Sequence, residues 1–174
     1  MAETLKTLVT RRSCRSYLQD EVPEEIIERI LRAGMYAPTA MGKQSPVIVC
    51  VTNKKIRDRM EDLDRKAKGT DGNPFYGAPF VMLVLADKNI GPHVYDGSLV
   101  MGNMMNEAAD LGIGTCWIHQ AKEAYETEEG KALLKELGVE GDLEGIGHMI
   151  FGYPAEDGFR LLVPRKENYV IRVK

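Results

Sequence analysis

The sequence predicts an α+β domain in which helices pack against a sheet. Three observations carry this. Strand-like and helix-like segments follow one another in mixed order, without strict βαβ alternation. Two short segments, Val47–Val51 and Phe80–Ala86, are continuously apolar, as buried strands are. Between and around them apolar residues recur at helical spacing. A length of 174 residues suits one domain, and neither an internal repeat nor a domain boundary is visible.

The elements follow in order. Leu5, Leu8 and Val9 make residues 3–10 a short amphipathic helix. Pro23, at a first helical position and followed by Glu24 and Glu25, opens a second helix. Its stripe is Ile26, Ile27, Ile30 and Leu31, and Pro38 ends it. Residues 39–46 have no periodicity and read as a loop. Val47–Val51 follows as a buried strand, and Asn53 caps a charged helix over 54–67 with Ile56, Met60 and Leu63 on one face. Gly69 to Pro74 is turn-rich, and Phe80–Ala86 is the second buried strand. Residues 95–111 form a long helix, apolar on more than one face and so expected to be buried on more than one side. Ser98, Gly102 and Asn106 give it a narrow seam at a spacing of four. A strand over 112–118, a helix over 127–137 ended by Gly138, and a strand over 145–153 complete the core. Beyond a polar stretch from 155 to 166, Tyr169–Val173 alternates as a last strand. The polar stretch is long enough to carry that strand to a neighbouring chain, where a sheet edge would satisfy it.

Composition excludes several classes. A formal charge of −3 disfavours bulk polyanion binding, so no nucleic acid or membrane surface is expected as a partner. The longest apolar run is far short of the roughly 20 residues that span a bilayer. Met1–Lys6 lacks the apolar core of a signal peptide. Cys14, Cys50 and Cys116 are odd in number and widely spaced, which is not a disulfide framework. The expectation is a reduced, soluble, cytoplasmic protein.

Chemistry-bearing residues are few. Arg11, Arg12, Ser13 and Arg15 put three guanidinium groups and a hydroxyl within five residues, a donor set matched to a phosphate. By itself such a cluster is more often a solvated basic turn. Arg165 and Lys166 form a second basic pair. The 38–46 loop offers Thr39, Lys43 and Gln44, with Gly42 allowing close backbone approach. Gly112-x-Gly114 lacks the third glycine of a dinucleotide fingerprint and leads into a strand, and there is no P-loop. His93, His119 and His148 are scattered, and Cys116-x-x-His119 has no second half that would make a zinc site. Arginine neighbours would depress the Cys14 thiol pKa, but no base can be assigned to it, so an inert or merely oxidisable thiol is expected. No metal and no side-chain catalyst is expected.

Read together, the segments resemble the FMN-dependent nitroreductase family in its short single-domain form, over nearly the whole chain. The resemblance rests on Arg-Arg-Ser-Cys-Arg at 11–15, Tyr-Ala-Pro-Thr-Ala at 36–40 and Gly-Ala-Pro-Phe-Val at 77–81. Asp-Gly-Ser-Leu-Val-Met-Gly-Asn at 96–103 and Leu-Gly-Ile-Gly-Thr-Cys-Trp-Ile at 111–118 complete it. It implies a nitroreductase-like α+β fold with a central mixed or antiparallel sheet and a C-terminal strand exchanged with a partner subunit. The whole chain, 1–174, would be one domain, with about 155–174 as the arm. It further implies a homodimer with FMN at the interface. Arg11, Arg12 and Ser13 would face the phosphate or ribityl chain, and Arg15 the N1–C2 edge of the ring. Pro38, Thr39, Ala40, Met41 and Gln44 would belong to the loop contributed by the other subunit. Beyond Trp117, the backbone at Ile118, His119 or Gln120 would donate an N–H toward N5. Arg165 and Lys166 would return to the phosphate. The implied activity is ping-pong transfer of two electrons from NADH or NADPH through the flavin to a flat acceptor such as a nitroaromatic or quinone. The alternative is a protein of the same fold that stores or presents FMN without turnover. Met41-Gly42-Lys43, where an Asn is often found, and His119-Gln120 depart from the common family pattern.

Overall fold

A computed structural model describes residues 3–174. Its centre is a four-stranded sheet in the order β1-β2-β4-β3, with β1 Pro46–Val51, β2 Phe80–Asp87, β3 Gly114–Ile118 and β4 Leu143–Gly152. Every ladder is antiparallel. Among the described residues, parallel pairing is confined to a single bridge between Ser13 and Thr115. The helices are α1 Glu3–Thr10, α2 Glu24–Met35, α3 Lys54–Lys68, α4 His93–Asp110, α5 Ala121–Glu126 and α6 Glu128–Glu136.

The period of two along β2 divides the core. Met82, Val84 and Ala86 face α2 and α4, together with Met149 and Phe151 of β4. Val81, Leu83 and Leu85 face the opposite way, toward Met60 and Leu63 of α3, Ala124 of α5 and Leu133 of α6. With both faces covered, β2 is buried from Val81 through Ala86, as its unbroken apolar run requires. The β1 segment reads similarly but is an edge strand, only partly buried. Its apolar run therefore marks a half-covered edge and not a central strand.

Local signals set the helix ends. Asn53 accepts from the Ile56 N–H at 3.2 Å and caps α3, and Gly69 at φ 64° closes it. Thr127 accepts from Gly130 N and caps α6. The short α5 has no counterpart in the sequence reading, since six residues are too few to show a helical period. Polar residues of α4 tie down α2: Glu107 pairs with Arg29 at 2.8 Å, and Asn103 Nδ2 donates to the Ala33 carbonyl at 3.1 Å. One face of α4 is covered, at Val100, Met101, Met104 and Ala108. The other face, with Tyr95 and Leu99, is exposed within this chain.

The first turn of α4 sits directly on β4. A Cβ at Gly97 would lie 2.6 Å from Ile146 Cγ1. Ile146 is the extra residue of a bulge, since Val84 pairs with Gly147 and Leu85 with Gly145. Gly97→Ala is expected to cost about 1–3 kcal/mol through overpacking. The urea midpoint should fall accordingly; an unchanged midpoint would show that this contact yields freely.

The C-terminal segment departs from expectation. Tyr169–Val173 forms no strand in this chain. A 3₁₀ turn spans Glu167–Tyr169, Val170 is extended, and residues 160–174 are exposed. Alternation alone does not make a strand when no edge of its own chain lies within reach.

Candidate functional site

The segment after α1 is fastened along the outer edge of β3. Cys14 N donates to Thr115 O at 2.8 Å, and Arg15 N to Gly158 O at 2.9 Å. Leu18 N bonds Tyr153 O, and Ala155 N bonds Ser16 O. Residues 13–18 therefore lie between the sheet edge and the 153–159 segment, with Arg15 held by its own backbone bond and Arg11 and Arg12 just before.

Arg11 and Arg12 line a cavity of about 320 Å³ with Thr10, Gly112, Thr115 and Phe159. None of its described lining residues is acidic. Arg12 donates from Nη1 to Arg160 O at 2.9 Å, and its guanidinium lies 5.2 Å from the Phe159 ring centroid. Arg12 Nε and Arg11 Nη1 are buried and have no hydrogen-bond partner. Buried guanidinium donors without an acceptor are costly. A phosphate monoester, with several anionic oxygens, is the chemistry that would satisfy them, so these residues fit the phosphate of FMN. Ser13 is partly buried beside them and bridges Thr115.

Arg15 is exposed, with its guanidinium 5.8 Å from the ring of Tyr76. Tyr76 holds φ 52°, in the left-handed region. Gln19 Nε2 fixes the next residue through Gly77 O at 3.0 Å, and Arg57 Nε fixes Ala78 O at 2.9 Å.

The 38–46 loop also contains left-handed residues, Met41 at 52°, Gly42 at 65° and Gln44 at 51°. Thr39 Oγ1 accepts from Gln44 N at 3.1 Å. Asp96, in the first turn of α4 and buried, accepts from Ala40 N at 3.0 Å and from Ser45 Oγ at 2.9 Å. Thr39 and Gln44 line a second cavity, of about 490 Å³, against Leu31, Met35 and Ile48. Thus Arg11 and Arg12 open on one cavity, and Thr39 and Gln44 on another. Pro38, Ala40 and Met41 belong to the same loop, and Met41 is 82% exposed.

Trp117 packs against the α2–α4 side of the core, with Nε1 buried and unpartnered. The indole occupies the space a side chain at Gly147 would need, 2.2 Å from a Cβ there. Ile118 ends β3, His119 is exposed, and Gln120 directly precedes α5 without a side-chain capping bond. Arg165 and Lys166 lie in the exposed tail and do not line the Arg11–Arg12 cavity; Lys166 Nζ sits 5.7 Å from the Tyr169 ring.

Cys14 is not an activated thiol, as its lack of an assignable base leads one to expect. It is fully buried, and burial pushes its pKa up. Cys50 is pushed up to about 11, by burial and then by Glu24 and Glu28. Behind the sheet, Asp64 and His148 are both fully buried, with His148 Nδ1 3.2 Å from Asp64 Oδ1. Tyr125 Oη lies 3.1 Å from His148 Nε2, and burial raises the tyrosine pKa. These partners come from three separate elements, which sequence spacing does not reveal.

A family model described as the nitroreductase family matches residues 8–68 and 66–153. A protein of Archaeoglobus fulgidus, whose name couples NADH dehydrogenase with NAD(P)H nitroreductase, is 31% identical over 90% of this chain and 88% of its own length. An FMN reductase [NAD(P)H] of Bacillus subtilis is 30% identical over 90% of this chain and 68% of its own. Among solved structures, a nitroreductase with bound FMN from Bacteroides fragilis superposes with a TM-score of 0.92 at 27% identity, covering both chains completely. A second FMN-bound nitroreductase, from Desulfitobacterium hafniense, shares the fold at a TM-score of 0.89 and 22% identity.

Proposed function

The chain belongs to the nitroreductase family, and we propose that it is an FMN-dependent oxidoreductase that draws on NAD(P)H. The observation that carries this reading is that Arg11 and Arg12, each with a buried, unpartnered guanidinium nitrogen, together line a cavity without a described acidic lining residue. When bound there, FMN supplies two-electron chemistry between the nicotinamide and a flat acceptor such as a nitroaromatic or quinone.

The chain's own part is to bind, orient and set charge. Arg11, Arg12 and Ser13 hold the phosphate, and Arg165 and Lys166 reach it from the tail. Arg15 places a cation at the N1–C2 edge, where it favours a negatively charged reduced ring. A backbone N–H at Ile118, His119 or Gln120 donates toward N5. The loop carrying Pro38, Thr39, Ala40, Met41 and Gln44 comes from a second copy of the chain.

A homodimer accounts for the apolar surface left open on one copy. Tyr95 and Leu99 on α4, Leu5 and Leu8 on α1, and Ile171 and Val173 of the tail are all exposed. In this reading residues from about 155 onward form an arm on the partner, and the enzyme works in the cytoplasm.

The test is a visible spectrum of the protein reconstituted with FMN, taken anaerobically before and after NADH and NADPH. Flavin absorbance that bleaches with either nicotinamide is expected. A protein that cannot be loaded with FMN overturns the proposal. Flavin that loads but stays oxidised with both donors points instead to storage or presentation of FMN.

A further inference from the structure

We propose that Asp96 is a positioning residue for flavin binding, acting through the 38–46 loop. This inference rests on the functional reading above, in which one subunit's loop meets the FMN held by the other.

Within itself the loop forms a 3₁₀ turn over Ala40–Gly42, with Gly42 N on Thr39 O, Lys43 N on Ala40 O and Gln44 N on Thr39 Oγ1. Met41, Gly42 and Gln44 all take positive φ, and Met41 projects into solvent. Two non-glycine residues in the left-handed region persist only where surrounding structure over-determines them. Asp96 adds a side-chain constraint from outside the loop, beside the Asp87 N bond to Ser45 O. One carboxylate oxygen accepts from Ala40 N, the other from Ser45 Oγ. These bonds seize the loop near both ends and leave residues 41–44 projecting between them. Asp96 has little freedom of its own, because the neighbouring Gly97 packs on Ile146. No cation pairs with Asp96 among the described residues. The N-terminal turn of α4 and the two loop donors are what compensate its buried charge. Glu107 and Asn103, further along α4, grip Arg29 and Ala33 O of α2, so one helix fixes both the element before the loop and the loop itself. A strained, projecting loop held by a buried carboxylate is a preorganised binding element, and its order is worth affinity to whatever it meets.

The test compares Asp96→Ala, Asp96→Asn and Ser45→Ala, with FMN affinity measured by fluorescence quenching on the apoprotein. Far-UV circular dichroism and thermal midpoints are recorded alongside. Asp96→Ala strands both donors, and FMN should bind about tenfold more weakly. Asp96→Asn should stay within about threefold of the parent, because the Ser45 hydroxyl can reverse and accept from the amide. Ser45→Ala removes one bond and should cost about threefold; it carries the test if Asp96→Ala does not fold. The visible circular dichroism of the bound flavin should change in Asp96→Ala and recover in Asp96→Asn. A carboxylate with a merely structural role would lower the thermal midpoint and leave affinity and flavin dichroism unmoved, well below that midpoint. Equal affinities across folded variants overturn this assignment alone. A parent that does not bind FMN overturns the functional reading, and this assignment with it.

Discussion

Replacing Arg11 and Arg12 together by alanine is expected to weaken FMN binding by roughly a hundredfold or more. A charge-assisted hydrogen bond contributes about 1.5–3 kcal/mol, because neither partner retains its full hydration. Two such bonds at the lower end, suited to a cavity open to solvent, give about 3 kcal/mol, or a little over a hundredfold in dissociation constant. Arg11→Ala alone is the cleaner variant. Its Nη1 has no partner in this chain, whereas Arg12 also holds Arg160 O and lies against Phe159. The apoprotein adds a diagnostic of opposite sign. Removing an unsatisfied buried donor relieves a cost, so Arg11→Ala apoprotein should be no less stable than the parent. Structural arginines would lose thermal stability first and affinity only as a consequence. Equal dissociation constants for parent and double variant would remove both residues from the phosphate site.

The sequence predicts those parts whose cause is local. The stripe of α2, the cap of α3 at Asn53 and the unbroken apolar run of β2 each depend on neighbours within a few positions. They are found close to where their patterns place them. What it does not predict depends on partners far along the chain or outside it. Nothing in Pro46–Val51 says that it is an edge, because that follows from which strand pairs with β2. Tyr169–Val173 alternates like a strand, yet a strand also requires a ladder, and no ladder forms within one chain. Cys14 lies beside arginines in sequence, but its thiol is buried against Gly114 and Gly158, and that burial, which raises its pKa, depends on residues far along the chain. The same holds at the site. The cationic cluster at 11–15 is visible in the sequence, while its fastening to Thr115 and Gly158 is not. Asp96 could be suspected from its place in a helix's first turn, but its hold on Ala40 and Ser45 spans some fifty residues.

Arg57→Ala is expected to destabilise the fold by about 3–5 kcal/mol, the cost of stranding a buried charge. Arg57 is 7% exposed and Glu61 6%, on adjacent turns of α3, with Nη1 2.7 Å from Oε2. Arg57 Nε also donates to Ala78 O, and its guanidinium lies 5.5 Å from the Phe75 ring. Glu61 Oε1 in turn accepts from Phe75 N at 3.2 Å. The pair thus holds both ends of the 75–78 segment, and with it Tyr76 and the surface that faces Arg15. Removing the arginine leaves Glu61 without its cation and Ala78 O without this donor. For a chain of this size the loss corresponds to a fall of roughly 6–20 °C in thermal midpoint. Arg57→Met with Glu61→Leu should cost less than Arg57→Ala, because no charge remains stranded. It should not be neutral, since the Phe75 amide and the Ala78 carbonyl still lose their partners. Urea unfolding of the three proteins, at a common slope, decides the matter. A single variant within 1 kcal/mol of the parent would mean that water reaches Glu61 as readily as arginine does, and that the 75–78 segment is held by its turn alone.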